Sequence, residues 1–301
     1  MQLKSVRRCG AASTGPTNVR SWDDLNYDLL VNIIKRVTWP ARLFVVCLVN
    51  KSWLSAVLDS MSTPGVINLE ALDLPEVERV KFRYCRFLKR MIDSKPIDSW
   101  SAFILGNTPL KGGKYLYIAK KTPSLQQLFI PCTMGMGFAN IGYAFKYWKK
   151  MKQVSCPVWL IKVYPNCFTM VENLRLFGVV DDAAAIAIRD NCPRLKQLNL
   201  NSCAFSIKAL SIILDGHKQL ELLDTRHGYR VANCEKLARD GFSIPLEWNE
   251  EEIRHKAAGI KEYLMCDRCC VECAAATRRN HRRCFPKPPR RYEDPQLCYG
   301  I

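Results

Sequence analysis

The sequence predicts an α/β chain in which a short N-terminal three-helix unit is followed by a small solenoid of parallel strands plus helices. Three observations carry this. Leu29, Leu30, Ile33, Ile34 and Val37 fall on one face at helical spacing, and two further apolar segments follow them. Leu195, Leu198, Leu200 and Cys203 make an L-x-x-L-x-L-x-x-C unit whose strand pattern recurs every 20 to 26 residues. Amphipathic helical segments separate these units, a cadence in which each repeat buries its apolar face only against its neighbours.

At 301 residues the chain is long enough for one large domain or for a small module beside a larger one, and 48% hydrophobic content suffices for a buried core. It shows no apolar signal-peptide segment and no run of 18 apolar residues. A soluble protein without a membrane partner, cytoplasmic and/or nuclear, is therefore expected. Most of the 15 cysteines, such as Cys47, Cys85, Cys132, Cys167, Cys192 and Cys203, stand singly among apolar neighbours, the pattern of buried thiols in a reducing compartment. The net charge is +17, but much of the excess sits at the ends, in Lys4, Arg7, Arg8 and Arg20 and again from Arg278 to Arg291. Solvated basic ends do not read bases, so nucleic acid is not an expected partner; the run Arg278–Arg283 serves equally as an import signal.

Residues 1–20 read as a basic disordered N-terminus and residues 21–62 as the helical unit. Asn26 is placed to cap the first helix, and Asp28 puts an acid in its first turn. Pro40 predicts a break after Trp39. An apolar segment from Leu43 to Val49 comes next, then a stripe of Trp53, Leu54, Val57 and Leu58. Three short helices cannot bury all this surface among themselves, so part of it is available to a partner.

The run from Trp22 to Trp53 resembles an F-box, a pattern opening on Leu-Pro-x-Glu and closing on an apolar segment that ends near Val-Cys-Lys-x-Trp. The matching residues are Leu25, Asp28, Leu29, Leu30, Ile33, Val49, Lys51 and Trp53. Asn26 stands where the family usually has proline, and Asn50 where cysteine or serine is common; neither departure removes an apolar anchor. The resemblance implies docking to a Skp-type adaptor and, through it, a cullin-based ubiquitin ligase. The adaptor-binding residues it implies are Leu25, Leu29, Leu30, Ile33, Ile34, Val37, Leu43, Val49 and Trp53.

Residues 63–113 read as an irregular linker or first repeat, with an apolar start at Val66–Leu74, a basic helical stretch ending near Pro96, and a strand or buried turn around Phe103. Four repeats are expected over 114–228. Leu125, Leu128, Ile130 and Cys132 mark one unit, and Met151, Val154 and Cys156 the next. Leu174–Phe177 offers a strand, the unit at Leu195 follows, and Leu220 and Leu223 repeat its spacing. Asp181–Asn191 and Ser206–Gly216 read as the intervening helices. The period and the Cys-Pro before the leucines resemble the cysteine-containing leucine-rich repeats that follow an F-box in plant-like proteins. The resemblance implies a client protein held on the repeat face; no motif identifies the client-binding residues.

Residues 229–265 read as a capping helix region in which Ile253, Ile260, Tyr263 and Leu264 cover the open end of the solenoid. In the Cys-rich basic tail, 266–301, Cys266, Cys269, Cys270 and Cys273 have the CxxC spacing that offers thiolates to zinc, and His281 and Cys284 follow. The pairs overlap without a spacer, so a zinc set, thiols packed on the last repeat and a redox-prone tail all remain readings of this stretch. No cofactor is expected.

The sequence contains no Gly-rich phosphate loop, HExxH or GxSxG. His217, His227, His255 and His281 have no nucleophile at a motif spacing, and His217 and His227 read as polar residues of repeat loops. A non-catalytic subunit that works by holding a client near the ligase is the leading expectation. The alternative is a leucine-rich-repeat scaffold binding nucleic acid or another anionic partner through its basic tails, with a zinc-bound C-terminus.

Overall fold

Asn26 opens the chain's first helix, α1 (Tyr27–Lys35): its side-chain oxygen accepts from the amides of Asp28 and Leu29 at 2.9 and 3.3 Å. The break that follows falls at Arg36–Thr38, not after Trp39. Trp39 and Pro40 instead begin α2 (Trp39–Phe44), because a proline in a first helical turn removes an N–H that has no intrahelical partner. From α2 the buried Arg42 reaches back, its guanidinium donating to the carbonyls of Lys35 and Val37 at 2.5 and 2.7 Å and so closing the end of α1. A 3₁₀ turn (Val46–Leu48) leads to α3 (Lys51–Met61), where Asn50 accepts from the Trp53 amide at 2.8 Å.

The computed structural model describes residues 22, 25–63, 65–69, 78–105, 113–130, 141–201, 203–230 and 250–266. The N-terminal stretch 1–20 and most of the cysteine-rich tail lie outside these residues, as does Cys132. Among the described residues no helix is long and apolar enough to cross a membrane.

After α3 the chain makes one antiparallel pair, β1 (Ser62–Thr63) with β2 (Val66–Asn68), around Gly65 at φ +77°. From β2 onward the main sheet is parallel throughout. It continues through β3 (Ala102–Ile104), β4 (Gln127–Phe129), β5 (Gln153–Pro157) and β6 (Asn173–Phe177). Then come β8 (Gln197–Asn199), β10 (Leu222–Asp224) and β12 (Glu262–Leu264). Two-residue strands β7 (Val179–Val180), β9 (Ala204–Phe205) and β11 (Tyr229–Arg230) form a second small parallel sheet after β6, β8 and β10. Helices α4 (Glu78–Asp93), α5 (Lys114–Lys121), α6 (Ile141–Phe145), α7 (Val158–Val163), α8 (Asp182–Asn191), α9 (Ile207–Gly216) and α10 (Glu250–Lys256) return the chain between strands. The molecule is thus α/β with a parallel sheet, compatible with a leucine-rich-repeat solenoid.

Register explains the repeat. Ile67, Phe103, Leu128, Val154, Leu174, Leu198 and Leu223 lie side by side across the sheet, and all are buried. A buried apolar residue stands three positions before each of the last six: Trp100, Leu125, Met151, Val171, Leu195 and Leu220. The cysteine of the central unit is buried too, its thiol donating to the Leu176 carbonyl at 3.0 Å. Burial pushes the Cys192 thiol up to about 12 and that of Cys156 higher still, so neither is a ready nucleophile.

The sheet extends past the expected 114–228 at both ends. Residues within 63–113 supply β2, α4 and β3 in register with the rest; Trp100 and Phe103 fill the leucine positions there, which is why the unit reads irregularly in sequence. At the other end, the expected capping segment is not one helix. Helix α10 stops at Lys256 with Ile253 fully buried, and Glu262–Leu264 joins β10 as the terminal strand. Tyr263 therefore takes the inward position of another repeat instead of covering a helical cap.

Candidate interaction surfaces

The structure separates the nine apolar residues read as an adaptor-binding set. Leu30, Ile34 and Leu43 are buried in the core that runs continuously from the N-terminal helices into the sheet, so they hold the fold and are not available to a partner. Leu29 and Ile33, one turn apart on α1, are 55% and 45% exposed, and Val49 is 54% exposed. Leu25, Val37 and Trp53 are half-buried, packed on that core. The Trp53 ring meets Trp22 edge-on at 6.4 Å between centroids, and its buried indole N–H has no hydrogen-bond partner among the described residues.

Two exposed residues escaped the sequence reading: Val45 and Leu48, each 63% exposed. Val45 precedes the 3₁₀ turn and Leu48 ends it, in an unbroken apolar run where composition gives no signal of which side chains turn outward. Tyr27 braces this unit, donating from its hydroxyl to Asp59 at 2.6 Å while Lys95, two residues past α4, pairs with the same carboxylate at 3.1 Å. Helix α2 packs on α4, so the unit is seated directly against the first repeat.

The outward face of the sheet carries polar rows. Gln127, Gln153, Asn173 and Gln197 lie in one register line; Phe129, Ser155, Arg175, Asn199 and Asp224 lie in the next. Ser155 and Pro157 are small enough for the rings of Phe129 and Phe177 to meet across β5, edge to face at 5.9 Å, and Arg175 lies 5.3 Å from the Phe177 ring. This aromatic and cationic ledge is the most distinctive chemistry on the face.

At the C-terminal end of β10, the Asp224 carboxylate is buried. Burial alone would raise its pKa, but two bonds from the Arg226 guanidinium (2.9 and 3.0 Å) and one from the Arg226 amide (3.0 Å) hold it below the ordinary range. Asn199 adds a bond at 3.1 Å. The neighbouring His227 has φ 54°, its amide donates to the Cys266 sulfur at 3.3 Å, and its Nδ1 lies 3.4 Å from the same sulfur.

His217 is not the surface loop residue that its sequence position implies. It is 4% exposed, its Nε2 is 3.3 Å from the Ile188 carbonyl, and burial lowers its pKa. Of the six tail candidates for zinc, Cys266 is described; Cys269, Cys270, Cys273, His281 and Cys284 lie outside the described residues. Among the described residues no three His, Cys, Asp or Glu side chains converge as a metal-binding group.

No family model matches this chain. It is similar to an F-box/LRR-repeat protein of Arabidopsis thaliana, with 23% identity over 273 residues that cover 85% of this chain and 87% of that protein. The likeness supports an F-box/LRR family at most.

Proposed function

We propose that this chain is the client-recognition subunit of a Skp–cullin–F-box ubiquitin ligase, with no active site of its own. The observation that carries this reading is the set of outward apolar side chains, Leu29, Ile33, Val45, Leu48 and Val49, on a helical unit whose own core is already filled. Large apolar groups left exposed beside a complete core are characteristic of an interface. The F-box/LRR name of the Arabidopsis relative agrees with a Skp-type adaptor as the partner. In this reading the N-terminal helices dock the adaptor, the outward face of the sheet holds a client, and catalysis by the ligase gains from proximity.

The test is co-purification of the full chain with a Skp-type adaptor, alongside Leu29→Ala and Leu48→Ala variants. Both residues are exposed, so the variants retain the fold, and loss of a central apolar anchor weakens binding by about 2 kcal/mol. A complex retained at full strength by a folded double variant refutes this docking face. Failure of the unmodified, folded chain to bind any Skp-type adaptor refutes the function.

A further inference from the structure

We infer that helices α4, α5 and α6, with the turns after α6, form a binding surface for single-stranded nucleic acid. The inference is independent of the adaptor reading. The two basic ends gave no reason to expect such a partner, but they are not the largest concentration of positive charge in the chain. Residues 78–152 hold fifteen Lys and Arg against three Asp and Glu, a local net charge of +12.

The fold gathers these charges on one side. Arg86, Lys89 and Arg90 share the exposed face of α4, opposite the buried Phe87, Leu88 and Met91. On α5, Lys114, Tyr117 and Lys120 follow at three-residue steps, opposite Tyr115, Ile118 and Ala119. Tyr143, Lys146, Tyr147 and Lys150 are exposed along α6 and just beyond it. Since α4 packs on α5 and α5 on α6, the three faces adjoin. Cations and rings interleave across the seams: the Lys89 ammonium lies 5.4 Å from the Tyr117 ring, Lys120 lies 5.7 Å from Tyr147, and Lys146 lies 6.0 Å from Tyr143.

These lysines lack counter-charges. Lys89, Lys120, Lys146, Lys149 and Lys150 make no ion pair among the described residues, and Asp93 is taken by the Tyr117 hydroxyl and by Lys121 at 3.9 Å. The later repeats differ, for there Lys162, Lys196, Lys208, Lys256 and Lys261 each pair with a carboxylate. Adjoining like charges repel, and a polyanion relieves that repulsion. Phosphates meet the ammonium groups, while the exposed rings of Tyr143 and Tyr147 stack on unpaired bases, whose faces a duplex hides. The interleaved rings therefore favour a single strand over a membrane surface or an acidic protein segment.

The experiment measures fluorescence anisotropy of a labelled single-stranded oligonucleotide of mixed sequence with the full chain, over a range of salt. Replacing Lys89, Lys120, Lys146 and Lys150 together by glutamine should lower affinity at least ~10-fold and flatten its salt dependence. Removing the same number of charges from the tail, at Arg282, Arg283, Arg290 and Arg291, should lower it less. Tyr143→Leu with Tyr147→Leu should lower oligonucleotide affinity at least ~5-fold and leave heparin, a polyanion without bases, unaffected. The substituted helix and turn side chains are exposed, and circular dichroism verifies each fold. A tail variant that loses as much as the lysine variant overturns the surface. So does oligonucleotide affinity unchanged in the tyrosine variant, or preferred binding of polyglutamate or of phosphatidylserine vesicles.

Discussion

His217 shows how one side chain ties stability to pH. It caps α9 from a buried position against the Ile188 carbonyl of α8, and burial holds its pKa below the ordinary 6.5. Because the unfolded chain binds the proton more readily, the stability supplied by neutral His217 is fully present above about pH 6.5. It is lost as pH falls through the lower folded-state pKa. Replacing it by glutamine should therefore flatten the fall in melting temperature on acidification below about pH 6.5. Identical slopes for wild type and variant would exclude His217 as the titrating group. Asp224 works further down the scale: its depressed pKa gives stability above about 3.8 that disappears as the carboxylate protonates.

Between elements, buried polar links fix how adjacent repeats sit. Thr122, at the end of α5, donates to the Ile118 carbonyl at 2.9 Å and accepts from the Trp148 indole at 3.0 Å, so one hydroxyl joins α5 to the segment after α6. Thr122→Val keeps the volume but leaves the buried Trp148 N–H without its acceptor, and about 1–3 kcal/mol of stability should be lost in denaturant unfolding. Thr122→Ser keeps the acceptor and should lose less; a serine variant as unstable as the valine one would mean that the methyl packing matters and the hydrogen bond does not. The same logic applies to Arg42, which closes α1 from α2 and was not foreseen from sequence, since an arginine in a short apolar helix gives no sign of burial.

Across the whole molecule, one continuous core joins the N-terminal helices to the sheet, from Leu30 and Leu43 through Tyr84 and Phe103 to Leu223 and Ile253. Unfolding of the N-terminal unit therefore exposes the first repeat. Leu43→Ala should cost about 2–5 kcal/mol and shift tryptophan fluorescence and far-UV circular dichroism together. Separate transitions, with only the helical unit destabilised, would show that the two parts fold independently. The shared core also gives the proposed ligase role its geometry, since helices seated on α4 hold a docked adaptor in a fixed direction relative to the outward face of the sheet.

Periodicity alone made several elements legible. The leucine spacing located β8 and β10, the helical segments Asp181–Asn191 and Ser206–Gly216 located α8 and α9, and Asn26 located the start of α1, because apolar pattern and cap chemistry are local properties of the chain. Local pattern was not enough where aromatic residues replaced leucine, as at Trp100 and Phe103, or where a strand followed a helix within one apolar segment, as at Tyr263. Nor could it divide Leu29 from Leu30, or Leu48 from Leu43: all are leucines in apolar runs, and only the packing of α1, α2 and α3 on one another decides which face water. The approach of His227 to Cys266 depends on two neighbouring strands ending at the same edge of the sheet. A contact across 39 residues is set by strand pairing, which no local pattern in the sequence announces.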